Sequence, residues 1–149
     1  MDKSFLGTGW SFPPTIKKET GIIMVSDATD IAQSLQILMN TSLGERIMVP
    51  EYGSNLVKFV FEPISTTRNY LMQEVIITAI TKYEARITLN SVQVNQADYL
   101  DGIIKVLLDY TIRATNSRFN LVFPYYKIEG TGIPHLYAYQ KLIQMSQAK

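Results

Sequence analysis

The chain has 149 residues, of which 46% are hydrophobic and 18% are charged, as is usual for a globular protein that buries a core. Its 14 basic and 13 acidic residues give a net charge of +1, so it lacks the basic excess of a general nucleic-acid binder. No cysteine is present, which excludes disulfides, thiol catalysis and thiolate metal sites. Residues 1–14 lack the apolar centre of a signal peptide, and no apolar run approaches the ~20 residues that cross a bilayer. We therefore expect synthesis in the cytoplasm and no membrane insertion.

The first part of the chain is predicted to contain an irregular arm, a strand and a helix. Residues 1–20 form the arm, because their glycines and prolines discourage regular structure. The apolar run GIIMV at 21–25 predicts a short buried strand. The helix is predicted to start at Asp27, whose carboxylate can cap the free amides, and to stop near Gly44.

Two further helices are predicted before the hydrophobic period changes. The first is short, capped by Ser54 and closed by Pro63. The second spans about 65–83 and has the strongest helical pattern in the chain. Its apolar residues share one broad face, namely Leu71, Met72, Val75, Ile76, Ala79, Ile80 and Tyr83.

After residue 83 the pattern alternates as in strands. The segments RITLNSVQV, IIKVLLDYTIRA and RFNLVFPYY are separated by turn residues, which predicts an antiparallel meander. One face of the second strand is apolar, with Ile104, Val106, Leu108, Tyr110 and Ile112. The sequence therefore predicts a single α+β domain over 1–149, with the arm and helices packed on the meander in two layers. An amphipathic helix is predicted from about Pro134, within a C-terminal extension over 129–149.

Four glutamates, Glu45, Glu51, Glu62 and Glu84, are the candidate acids of an enzyme by residue type. A glycoside hydrolase needs two carboxyl groups roughly 5 to 9.5 Å apart across a cleft. Nothing in their spacing brings two of them face to face. The favoured alternative is structural, with the carboxylates bonded to main-chain amides or to neighbouring arginines at helix ends.

Other catalytic or ligand-binding motifs have little support in the sequence. His135 is the only histidine, which leaves little material for a histidine metal site or a serine–histidine relay. The GTG at 7–9 lacks the preceding strand and the lysine of a phosphate-binding loop. The nine tyrosines are better explained by packing or by a protein interface than by base stacking. No cofactor or metal is therefore expected.

Several stretches nevertheless resemble a known family in order and spacing. They are FLGTGWSFP, DIAQSLQILMNTSLGERIMVPEYGSNL, FEP and YEARI, within residues 5–125. The chain resembles the baseplate wedge and sheath-initiator family of contractile phage tails, extracellular contractile injection systems and type VI secretion machines. Some members of that family carry a "lysozyme-like" label.

The resemblance rests on motifs that fall on identifiable residues. The family pattern G-E-R-x-M-x-P-x-(Phe/Tyr)-G matches 44–53, and the FEP motif matches 61–63. A Glu-Pro-Arg signature falls on Glu84, Ala85 and Arg86, with alanine in place of proline. That change removes a fixed φ angle and returns one N–H donor, but keeps both charges.

The resemblance implies a non-enzymatic assembly protein of the inner baseplate. Its implied partners are wedge proteins, the hub, spike or tube-initiator proteins, and the sheath protein, which would add strands to the edge of the last hairpin. The expected interface residues are Glu45, Arg46, Tyr52, Glu62, Glu84, Arg86, Arg118, Phe119, Leu121 and Phe123. The type of contractile machine stays open, and the alternative function is a peptidoglycan hydrolase with paired glutamates.

Two mutational expectations follow from this interpretation. As an interface anchor, Arg86 is expected on replacement by alanine to lose partner binding while the melting temperature stays almost unchanged. The alternative is an exposed structural pair with Glu84, in which case the change costs about 0 to 1 kcal/mol and particles still assemble. Leu121→Pro is expected to remove a donor from the hairpin edge and so to prevent sheath assembly.

Overall fold

The computed structural model describes residues 6–19, 21–60, 62–63, 65–95 and 103–126, with only the main chain at positions 60 and 126. The elements follow in the order β1 (Thr8–Trp10), β2 (Ile16–Lys17), β3 (Gly21–Ile22), β4 (Met24–Ser26), α1 (Asp27–Asn40), α2 (Val57–Val60), α3 (Thr66–Tyr83), β5 (Ile87–Asn95), β6 (Ile103–Ile112) and β7 (Ser117–Tyr126). The predicted α+β class, with helices first and an antiparallel meander last, is confirmed. The predicted C-terminal helix, the extension over 129–149 and His135 lie outside the described residues.

The N-terminal arm is more regular than predicted. Strand β1 pairs with β4 in antiparallel register, with Trp10 opposite Met24, and β2 pairs with β3. The prediction of an irregular arm was wrong for these two strands, because the two prolines fall in the connection between β1 and β2, where they interrupt no ladder. The predicted burial of strand 21–25 was also wrong, since Ile22 is 38% exposed and Met24 is 49% exposed. Main-chain hydrogen bonds, rather than core packing, define these strands.

Helix α1 carries the predicted apolar face but has different ends. Ser26, not Asp27, occupies the N-cap position, and its side chain makes no capping bond; Asp27 is the first helical residue, with a φ of 58°. The helix ends at Asn40, not at Gly44, because Thr41 is extended and its hydroxyl donates to the carbonyl of Ile37 at 2.7 Å. Its buried residues are Ile31, Leu35, Gln36, Leu38 and Met39.

The two later helices also agree with the sequence pattern. The short helix is present as α2, but Ser54 does not cap it, since the Ser54 hydroxyl donates to the carbonyl of Met39 at 2.9 Å. Helix α3 begins after Ser65, whose hydroxyl accepts the N–H of Arg68 at 3.1 Å. Its buried residues are Arg68, Met72, Ile76, Ala79 and Ile80. In the described part of the chain, no helix is both long and apolar enough to span a membrane.

The meander has the strand order β5-β6-β7, so β6 is central. Strands β6 and β7 pair without interruption, whereas the pairing of β5 with β6 shifts between Leu89 and Ser91. The face of β6 that was predicted to be apolar is buried, and it forms one core with α1 and α3. Its members are Ile104, Val106, Leu108, Tyr110 and Ile112. This core holds the α3–β5 corner and the β7 edge in place.

Candidate functional site

The corner between α3 and β5 is built around the guanidinium of Arg86. Its Nε and Nη2 donate to the two carboxylate oxygens of Glu84, each at 2.7 Å. Its Nη1 donates to Asp30 Oδ2 at 2.6 Å and to the carbonyl of Leu6 at 3.0 Å. The Ser34 hydroxyl donates to Glu84 Oε2 at 2.7 Å. We call these five residues the Arg86 junction, because they join the arm, α1 and the start of the sheet.

The electrostatics of the junction stabilise the charged form of both partners. Burial of Glu84, which is 4% exposed, acts to raise its pKa, but the bonds from Arg86 and Ser34 outweigh burial and hold the pKa below its usual value. The hydrogen bonds to Glu84 and Asp30 raise the pKa of Arg86 further above its already high value, against the effect of burial. Glu84 therefore stays ionised at neutral pH and has its charge compensated within the chain.

The predicted pair Glu84 and Arg86 is thus brought together, but it is not an exposed pair. The Arg86 side chain is 31% exposed, whereas Glu84 faces inward. This corrects the premise that loss of Arg86 would leave the melting temperature unchanged. Removing the Arg86 guanidinium would leave the buried carboxylate of Glu84 without its cation, which destabilises the folded protein. A role of the corner in partner binding remains a prediction.

Sequence reasoning missed Asp30, Ser34 and the reason for the GTG stretch. Asp30 and Ser34 are one helical turn apart on α1, a spacing that places both on one face. A Cβ at Gly9 would lie well inside van der Waals contact with the carboxylate of Asp30, and a Cβ at Gly7 would lie 3.3 Å from Arg86 Nη1. Glycine is therefore needed where the arm crosses the junction.

The family motif at 44–53 forms an exposed loop between α1 and α2. The carboxylate of Glu45 accepts the N–H of Ser42 at 2.9 Å. The guanidinium carbon of Arg46 lies 4.9 Å from the centre of the Tyr52 ring, and Tyr52 packs edge-on against Tyr83. Glu45 and Arg46 are exposed and Tyr52 is half-buried, so this predicted interface set does lie together at the surface.

The tip of the same loop exposes large apolar side chains. Ile47 is 91% exposed and Met48 is 88% exposed. Beside the loop, a groove of about 580 Å³ runs along α3 and is lined by Leu43, Pro50, Leu71, Val75 and Lys82 among others. Such a surface is costly to leave in water and is typical of a protein interface.

Glu62 lies apart from the Arg86 junction. Its side chain is exposed, and its carbonyl accepts Arg68 Nη1 at 2.8 Å. Phe61, the first residue of the FEP motif, lies outside the described residues. Within the described ranges, no group of three or more acidic or histidine side chains is arranged to hold a metal ion.

Strand β7 provides the predicted hairpin edge. Among the strands that the structure describes, its only sheet neighbour is β6. Arg118 is exposed on the outer face and pairs with Asp109. Phe119, Leu121 and Phe123 lie on the opposite face, across from Tyr110, Leu108 and Val106. Phe123 is 3% exposed, so its side chain belongs to the core rather than to an accessible surface.

Comparison with known proteins assigns this fold to a family. The sequence pattern of the family described as baseplate wedge protein gp25 matches residues 25–117, which is more than half of the chain. The chain belongs to the gp25 baseplate wedge family. The match spans α1, the 44–53 loop, the Arg86 corner and most of the meander. The predicted family resemblance is thereby confirmed.

Individual relatives and solved structures agree with the gp25 assignment. Baseplate protein W of Escherichia phage P2 is 29% identical over 102 residues, which cover 68% of this chain and 87% of that protein. A crystal structure from Geobacter sulfurreducens, provisionally named a tail lysozyme, is 36% identical with a TM-score of 0.66, covering 73% of this chain and 99% of its own. A chain of the anti-feeding prophage (AFP) baseplate is 26% identical with a TM-score of 0.61, covering 87% and 93%.

Proposed function

We propose that this chain is a non-enzymatic structural subunit of the baseplate of a contractile injection machine. In this proposal it is made in the cytoplasm, joins wedge proteins to the hub, spike or tube-initiator proteins, and provides the first attachment point for the sheath. Membership of the gp25 family and similarity to a chain of the AFP baseplate support the baseplate role. The exposed apolar tip of the 44–53 loop supports a role in binding other proteins.

The observation that carries the sheath part of the proposal is the edge position of β7. A strand at a sheet edge presents main-chain N–H and C=O groups that an extended segment of another protein can pair with. β7 is ten residues long and is paired on one side by β6 in the described chain. A strand donated by a sheath subunit would extend the three-stranded sheet by one and would place the first sheath ring in register with the baseplate.

The state of the glutamates supports the non-enzymatic part of the proposal. A glycosidase acid needs a pKa raised towards neutrality. The pKa of Glu84 is lowered by Arg86 and Ser34, and that of Glu51 is lowered by its bond to Lys82. Glu45 is bonded to a main-chain amide. These contacts are those of structural carboxylates.

The name of the Geobacter relative makes a peptidoglycan hydrolase the alternative to test. Purified protein is expected to cause no loss of turbidity in a peptidoglycan suspension, with hen lysozyme as the positive control. Hydrolysis that disappears in Glu62→Gln, while the circular dichroism spectrum is unchanged, would establish the enzyme instead.

The sheath role is tested by site-specific photo-crosslinking in assembled particles. A benzoylphenylalanine placed at Asn120, on the β7 edge, is expected to crosslink to the sheath protein. The same group at Glu74, exposed on α3, is the matched control and is expected to give no sheath adduct. Sheath adducts at Glu74 but none at Asn120 would refute attachment through this edge.

A further inference from the structure

A single hydrogen bond fixes which way the main chain points along the sheet. The N–H of Arg113, which directly follows β6, donates at 3.0 Å to the carbonyl of Arg86, which directly precedes β5. In an antiparallel sheet, the N–H and C=O of one residue point to the same neighbouring strand, and those of the next residue point to the other side. The odd-numbered residues of β6 therefore bond to β5, and the even-numbered ones bond to β7.

The register carries this alternation to the outer edge of β7, which pairs with no other described strand. Pairing of β6 with β7 runs without a break from 112 opposite 117 to 103 opposite 126. The even-numbered β6 residues therefore bond to odd-numbered β7 residues, and the even-numbered β7 residues point their main-chain groups outward. These outward residues are Arg118, Asn120, Val122, Pro124 and Tyr126. Proline has no N–H, so the row of donors is interrupted directly after Val122.

The position of Pro124 agrees with this orientation. Within sheets, proline is found where its missing N–H faces away from the ladder. An inward-facing proline at this position would break a bond to Lys105, its register partner on β6. Pro124 thus leaves the β6–β7 ladder intact and removes one donor from the outer edge of β7.

The core-facing side chains of β7 change from buried to exposed close to Pro124, where the row of outward donors is interrupted. Phe123 is 3% exposed, whereas Leu121 is half-buried and Phe119 is 36% exposed although its ring stacks on Tyr110. Uncovered apolar side chains and outward main-chain donors therefore coincide on residues 118–122. The first observation depends on how far the core covers β7, and the second depends on the missing N–H of Pro124.

We propose that β7 accepts a partner strand only over Arg118–Val122, and that Pro124 sets the end of the paired segment. This inference rests on the proposed function, since it specifies the strand that the edge receives. The partner segment is about five residues long, with apolar side chains at the two positions that cover Phe119 and Leu121. Its other three positions lie beside Arg118, Asn120 and Val122 on the solvent face and are polar or small.

The same geometry corrects the expectation for Leu121→Pro. Leu121 is an odd-numbered residue, so its N–H bonds to β6 rather than to a partner. Proline at this position would break the protein's own ladder, and lost sheath assembly would then report on folding. Asn120, at the centre of Arg118–Val122, is a position at which proline removes an outward donor and leaves the β6–β7 ladder complete.

Amide hydrogen exchange of the full chain, measured by NMR, tests the orientation without a partner. We expect the amides of Phe119, Leu121 and Phe123 to exchange at least ~100-fold more slowly than those of Arg118 and Asn120. Equal protection of the two sets would overturn the proposed register. Protection of the outward set in the free protein would also overturn it, because the chain itself would then cover the edge.

Binding of the purified sheath protein from the same particle tests the occupant. Asn120→Pro is expected to bind at least ~10-fold more weakly than the wild-type chain, whereas Asn120→Ala, which keeps the N–H, is expected to bind within ~2-fold. On binding, the amides of Arg118, Asn120 and Val122 should gain protection and that of Tyr126 should not. Protection reaching Tyr126 would show that Pro124 does not end the pairing.

Two negative results distinguish failure of the proposed register from failure of the proposed sheath role. If the wild-type chain does not bind the sheath protein, the sheath role itself is refuted. If the wild-type chain binds and Asn120→Pro binds equally well, the sheath role stands and the register is wrong. The melting temperature of Asn120→Pro is measured alongside, and folded protein is confirmed by an unchanged exchange pattern at Phe119 and Leu121.

Discussion

Replacing Arg86 with alanine is expected to destabilise the isolated protein strongly. The variant leaves Glu84, 4% exposed, with the Ser34 hydroxyl as its remaining side-chain partner in the junction. Breaking a buried ion pair from one side costs about 3–5 kcal/mol. Because the Arg86 side chain is 31% exposed, water can reach the vacated space, so we expect a smaller loss than for a fully buried pair, about 2–4 kcal/mol.

Urea and thermal unfolding at pH 7, followed by circular dichroism, measure this loss. For a chain of this size, about 3 kcal/mol corresponds to a fall of roughly 6–12 °C in melting temperature. The matched control is Arg113→Ala, which removes an exposed guanidinium whose Nε donates to the Thr88 hydroxyl at 3.1 Å. That control is expected to change the free energy of unfolding by less than about 0.5 kcal/mol.

A free energy of unfolding for Arg86→Ala within about 0.5 kcal/mol of the wild type would refute this reasoning. It would mean that Glu84 is hydrated or neutral in the folded protein. The corner would then be free to serve as a partner-binding pair, as the sequence alone suggested. Co-purification with baseplate partners has to be compared at a temperature where both proteins are folded, because an unfolded variant loses every partner.

Three other changes test separate parts of the structure. The pKa of Glu84 in the folded protein lies below its ordinary value of 4.5, so its contribution to the free energy of unfolding is complete above pH 4.5 and is lost as the pH falls through the folded pKa. Glu84→Gln should therefore flatten the decline of the free energy of unfolding between about pH 5 and pH 2. An unchanged slope would contradict the ionised, bonded state of Glu84. Gly53→Ala should cost about 2–4 kcal/mol in urea unfolding, because Gly53 has a φ of 126° and a Cβ there would clash with the main chain of Thr41. The control Gly44→Ala should cost about 1 kcal/mol, because Gly44 has a φ of 86° but open space around it. Equal costs would exclude the steric clash. Replacing both Ile47 and Met48 with serine should leave the melting temperature within about 2 °C of the wild type, because both side chains are highly exposed. The same change should reduce co-purification with baseplate partners. Full retention of the partners would exclude the loop tip from the interface.

The elements that could be predicted from sequence are those with a hydrophobic period. Helix α3 and strand β6 each bury one face, and their periods of 3.6 and 2 residues are legible without a structure. The β1–β4 and β2–β3 pairs could not be predicted, because their side chains are largely exposed and main-chain pairing leaves no periodic signature. The ends of α1 were misplaced for a related reason, since an extended Thr41 ended the helix before the glycine that usually marks a stop.

The candidate site, too, could be predicted from the sequence only in part. Glu84 and Arg86 are two residues apart, so their pairing was within reach of the sequence. The other members of the junction were not, because Asp30 lies 56 residues and Leu6 lies 80 residues from Arg86 along the chain. Whether a charged pair is exposed or buried depends on such distant segments. The edge position of β7 was predictable from strand order, but the direction of each amide needed the Arg113–Arg86 hydrogen bond.

The interrupted row of donors on β7 also bears on how free subunits behave before a particle is built. Two copies that paired through residues 118–122 would form about six hydrogen bonds, each with a net value of ~0.5–1.5 kcal/mol. Losing the independent motion of one molecule costs about 4–15 kcal/mol, so such a pair roughly breaks even and stays rare at ordinary concentration. An uninterrupted ten-residue edge would favour aggregation far more. The short edge therefore allows a pool of subunits to remain dispersed until a partner with further contacts arrives.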